Sequence, residues 1–138
     1  MKKLLLCLIM IALSAISLFA QKADYTKYTV LAQTDDVSIV VKGNDYRMVV
    51  GRLKKPKTVF LLGYSKEQAA QKLQHFIEQA DNKSYSKKNR QVTFCGVNLL
   101  LTATDTKADD VIYEILREDR NVRFRLNKSS LVSFIDLL

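Results

Sequence analysis

The stretch Val37-Ser-Ile-Val-Val-Lys-Gly-Asn-Asp-Tyr-Arg-Met-Val-Val50 decides how the fold is read. Val37, Ile39 and Val41 alternate with Ser38, Val40 and Lys42, the two-residue period of a strand with one strongly apolar face. Gly43-Asn44-Asp45 then supplies residues that accept positive φ, so the chain reverses tightly. Tyr46, Met48 and Val50 share one face of the return strand and Arg47 takes the other. A hairpin of this kind predicts an antiparallel sheet.

On the N-terminal side, residues 25–32 are rich in aromatic and β-branched types and read as a first strand, with Asp35-Asp36 as the turn after it. On the C-terminal side, Lys54-Lys55-Pro56-Lys57 interrupts the pattern, because proline cannot donate to a strand ladder and marks a loop or an edge. Val59–Leu62 resumes as a strand. Residues 65–80 then change period: Ala69, Ala70, Leu73, Phe76, Ile77 and Ala80 recur at three- and four-residue spacing, one apolar stripe of a helix. Ser65 and Gln68 match a capping box at its start, with Glu67 in the first turn.

Residues 82–91 are polar, and 92–104 return to strand character. Residues 108–118 fit either a helix or a strand; the hairpin alternative, turning at 118–121 into Val122, Phe124 and Leu126, is the reading adopted. Asn127 or Ser129 caps a last helix carrying Leu131, Phe134, Ile135 and Leu138. The expectation is one α+β domain over residues 21–138, an antiparallel sheet of about six or seven strands. The helix at 65–80 packs on one face, and a short helix at 129–138 covers more of that face or an edge. Lys57-Thr-Val-Phe-Leu set against Arg120-Asn-Val-Arg-Phe hints at a duplicated sheet-then-helix unit.

Residues 1–20 have the layout of a cleaved secretory signal: Lys2 and Lys3, then an apolar run from Leu4 to Phe19, then a junction at Ala20-Gln21. The run is shorter than the roughly 20 residues that cross a bilayer, so no stable membrane span is expected after cleavage. Leu18 at the −3 position departs from the small residue that cleavage prefers. The expected location is periplasmic or secreted. Removing 20 of 138 residues lowers the net charge from +8 to about +6, still basic. It also removes Cys7 and leaves Cys95, which cannot close an internal disulfide. Cys95 lies in an apolar strand-like run and reads as a small buried hydrophobe.

The residue types that carry chemistry are sparse. His75 is the single histidine, too few for a zinc site, and no metal or cofactor is expected. A Cys95–His75 dyad would need contact and a third residue to orient the imidazole. Asp35-Asp36, Asp109-Asp110 and Glu118-Asp119 read as turn formers and caps. The segment 105–110 lacks the glycine and spacing of a calcium loop. Asn82-Lys-Ser84 and Asn127-Lys-Ser129 match the glycosylation sequon.

Lys83, Lys87, Lys88 and Arg90 around Tyr85 have the composition of a contact for an anionic polymer, cations for its charges and a ring for stacking. Lys54, Lys55 and Lys57 join them if the two loops share an end of the sheet. The functional expectation is a small exported, non-catalytic binding or inhibitor-like module acting on a macromolecular partner. The alternatives are a hydrolase with dispersed catalytic residues and a binder of anionic surfaces through the lysine-rich loops.

Overall fold

The computed structural model describes residues 24–34, 36–81, 90–107 and 110–138. The expected leader lies outside them. Strands β1 (Thr29–Gln33), β2 (Val37–Lys42), β3 (Asp45–Gly51) and β4 (Pro56–Gly63) form an antiparallel meander in that order, followed by helix α1 (Lys66–Ala80). Strands β5 (Arg90–Phe94), β6 (Val97–Lys107), β7 (Asp110–Arg117) and β8 (Val122–Asn127) form a second meander, followed by helix α2 (Lys128–Leu137). The α+β class holds. The single sheet of six or seven strands does not: there are two sheets of four. Hydrophobic alternation tells which way each strand faces, but not which strands hydrogen-bond once a helix intervenes. Here α1 separates edge strands β4 and β5, and the sheets meet through side chains.

The N-terminal flank of the central hairpin shifts from the sequence reading. Tyr25–Tyr28 is a turn, closed by a Tyr28 N–H donating to the Tyr25 carbonyl at 3.1 Å, so the first strand begins only at Thr29. Residues 110–117 are a strand paired with β8, as the hairpin reading had it.

The same plan of four strands and a helix occurs twice. Met48 pairs with Phe60 in the first unit and Ile115 with Phe124 in the second, which matches Phe60 to Phe124 and Leu62 to Leu126. The pentapeptide comparison made from sequence is therefore one residue out of step, and in a strand one residue exchanges the two faces. The helices carry the clearer echo. Leu73-x-x-Phe76-Ile77-Glu78 recurs as Leu131-x-x-Phe134-Ile135-Asp136, with the leucine and phenylalanine buried in both. Leu73 follows its N-cap Ser65 by eight residues and Leu131 follows Asn127 by four, so α2 lacks about one turn.

One core serves both units. The Phe60 ring lies 5.1 Å from Phe94 and 5.9 Å from Phe124, and Phe76 lies 5.5 Å from Phe94 and 5.7 Å from Tyr113. These separations fall in the favourable range for tilted aromatic pairs. Each helix also reaches the first strand of the other unit. The Gln79 side chain brackets the Thr93 backbone, accepting from its N–H at 3.0 Å and donating to its carbonyl at 2.8 Å. Helix α2 packs beside β1, where Ala32 and Thr34 share a recess with Ser133 and Phe134.

The helix starts are built differently. Ser65 Oγ accepts from the Gln68 N–H at 3.1 Å, and Gln68 Oε1 accepts from the Tyr64 N–H at 2.8 Å, the expected box reaching back one residue further. Gly63, at φ +148°, has room for no side chain, since an added Cβ would meet the Gln68 Cβ at 2.6 Å. Asn127 occupies the N-cap of α2 without bonding to it. Asp110, at the start of β7, does that work instead, accepting from the Ser129 N–H at 3.1 Å and from its hydroxyl at 2.6 Å.

Candidate functional site

Of the residues singled out as an anionic-partner contact, Lys83, Tyr85, Lys87 and Lys88 lie outside the described residues. Arg90 is buried, and its guanidinium donates to the Ala80 carbonyl at the end of α1. It fastens β5 to the helix and faces away from solvent. Lys54, Lys55 and Lys57 are exposed, as a cationic contact requires.

The β3–β4 connection presents those lysines through backbone pinning. The Gly51 N–H donates to the Asp36 carbonyl at 2.8 Å, tying the end of β3 to the β1–β2 turn. The Tyr25 N–H donates to the Leu53 carbonyl at 2.7 Å and holds the other side. The pairing of β3 with β4 slips between Val50 and Gly51, opposite Pro56, which turns the connection outward. Arg52, Lys55 and Lys57 then stand around an open recess of about 660 Å³ with Gln33 and Asp36.

A second recess, of about 450 Å³, adjoins the first. Asp36 lines both, and Thr102, Glu114, Arg123 and Arg125 complete the second. Arg123 and Arg125 alternate along β8 with Phe124 and Leu126, which are buried in the core, so both arginines stand on the outward side. Arg125 Nη2 lies 2.9 Å from Glu114 Oε1 across the β7–β8 pair, both well exposed. The joined surface sets five cations (Arg52, Lys55, Lys57, Arg123 and Arg125) against the carboxylates of Asp36 and Glu114. Arg52, Arg123 and Arg125 were missed in the sequence, although the alternation Val122-Arg-Phe-Arg-Leu126 carries the signal.

The other candidates separate. Cys95 is in the two-residue turn Cys95-Gly96 between β5 and β6, with φ of +52° and +76°, a primed hairpin turn rather than part of a strand. Burial pushes its thiol up to about 12, against a smaller opposing effect of Lys72, so it is protonated at neutral pH and a poor nucleophile. His75 is exposed on α1, and no hydrogen bond among the described residues joins it to Cys95. Among the described residues no three His, Cys, Asp or Glu side chains gather as a metal site, and no helix is long and apolar enough to cross a membrane. Comparisons with protein-family models, with curated proteins and with solved structures found no match to this chain.

Proposed function

We propose that the chain is an exported, non-catalytic binding module whose partner is an anionic macromolecule. The observation that carries this reading is the cluster Arg52, Lys54, Lys55 and Lys57, held exposed by the pinned β3–β4 connection and tied up by no ion pair among the described residues. Cations that are neither buried nor paired keep their full attraction for a polyanion, and the basic balance of the chain brings such a partner in from a distance.

The test compares two variants of equal charge on heparin resin. One carries Lys54→Gln, Lys55→Gln and Lys57→Gln; the other carries Lys42→Gln, Lys66→Gln and Lys72→Gln, exposed lysines outside the connection, Lys42 at the opposite end of the β2–β3 hairpin. The first is expected to elute at clearly lower salt than the second, and binding is expected to weaken as salt rises. Equal elution of the two variants, or no retention of the parent chain, overturns the reading.

A further inference from the structure

We infer that the binding surface runs across both units and that the polymer it fits is an acidic polysaccharide, a deepening that rests on the reading above. The two recesses meet at Asp36, so the cations of the β3–β4 connection and the outward arginines of β8 form one track rather than two patches. The track is interleaved: carboxylates of Asp36 and Glu114 lie among the five cations. A nucleic acid is a poor match, since duplex DNA carries one charge per roughly 1.7 Å of axis and would lay phosphates against those carboxylates. Single strands also gain much of their affinity by stacking on rings. Among the described residues, the one aromatic residue that lines the two recesses, Phe124, is buried in the core.

A chain of acidic sugars meets both halves of the pattern. In a polyuronate the carboxylates come one to a sugar ring and suit Arg52, Lys55, Lys57, Arg123 and Arg125, with arginine able to bind them in a two-pronged fashion. Its hydroxyls donate to Asp36 and Glu114, and they also suit the polar Gln33 and Thr102 beside them.

The experiment measures affinity at several salt concentrations for a heparin oligosaccharide, for polygalacturonate and for single-stranded DNA of matched charge. It uses the parent chain, the Lys54/Lys55/Lys57 glutamine variant and an Arg123→Gln, Arg125→Gln variant. Both arginines are exposed, so an unchanged melting temperature confirms that the fold survives. The expected result is that the arginine variant binds both polysaccharides about tenfold more weakly, with the slope of log affinity against log salt reduced by about two. If the lysine variant loses binding and the arginine variant does not, the track across units falls while the broader function stands. If DNA binds as tightly as the polysaccharides at equal salt, the polysaccharide assignment falls. If neither variant differs from the parent, both readings fall together.

Discussion

The two sheets share a plan but differ in how much charge they turn outward. On the first, Val30, Val40, Val49, Val59 and Leu61 point away from the core, and Val40 and Val49 are both 0% exposed all the same. On the second, Leu100, Ile112 and Leu116 share the outward face with Thr93, Thr102, Glu114, Arg123 and Arg125. Part of the first sheet's covering is visible. Tyr25 is held at its backbone by Leu53 beyond the end of β3, and its hydroxyl accepts from Arg47 near the start at 3.2 Å, with Val49 between them along the strand. Arg47 is itself clamped by Asp45 at 2.9 and 3.2 Å. The first sheet is thus buttressed on both sides, whereas on the second Arg123 and Arg125 stand exposed among the described residues. A repeated backbone plan need not imply a repeated role.

The comparison breaks most visibly in the helices. Phe76 and Phe134 occupy matched positions, but only Phe76 touches rings of the second sheet, Phe94 and Tyr113. Phe76→Ala is expected to destabilise the chain by about 4 kcal/mol, the transfer of the ring plus the cavity it leaves. Phe134→Ala should cost about 1 kcal/mol less, having no such ring partners among the described residues. Urea unfolding of both variants measures the difference, and equal losses would mean that α1 has no privileged place in the core.

The next contrast is a single position. Register matches Val50, opposite Thr58, to Arg117, opposite Val122. Arg117 is buried, donates to Thr58 Oγ1 of the first unit at 2.8 Å, and lies 5.4 Å above the Phe60 ring. Its Nε reaches Asp119 at 2.8 Å. Arg117→Val, which imports the residue of the first unit, leaves the buried Thr58 hydroxyl without its donor and should cost about 2 kcal/mol. Adding Thr58→Val should recover about half of that in a double-mutant cycle by urea unfolding. Strict additivity would show that the arginine does not bridge the units.

These pairs also show what was legible in the sequence. Local signals were sound wherever one side chain sets one backbone event: the Gly43-Asn44 reversal, the Ser65 box, the edge placement of Pro56. The partition into two sheets was not legible, because Val59–Leu62 and Val92–Phe94 alternate in the same way whether or not their backbones pair. Arg90 and Arg117 read as surface cations by type, and only tertiary partners such as the Ala80 carbonyl and Thr58 account for burying them. Half of the candidate site was readable in the β3–β4 lysines. The alternation in β8 turns Arg123 and Arg125 outward, but only packing between the units brings them beside the lysines.

The smallest contrast lies in the caps, and pH separates them. Ser65→Ala removes a hydroxyl acceptor and should cost about 1 kcal/mol at every pH, because a hydroxyl does not titrate in the accessible range. Asp110 plays the same part for α2 with a carboxylate. The Ser129 hydroxyl, then its N–H, hold that carboxyl below its ordinary value. A carboxylate whose pKa is lowered by folding adds stability that is complete above its unfolded value, roughly 3.9, and lost as pH falls through the folded value. Asp110→Asn mimics the protonated form in shape and charge. Its urea midpoint should therefore fall below that of the parent at pH 7 and converge with it below about pH 4. The Ser65→Ala deficit should stay flat over the same range. A gap at position 110 that persists unchanged into acid would mean that the charge of Asp110 contributes nothing to holding α2, and that the two helices are capped alike.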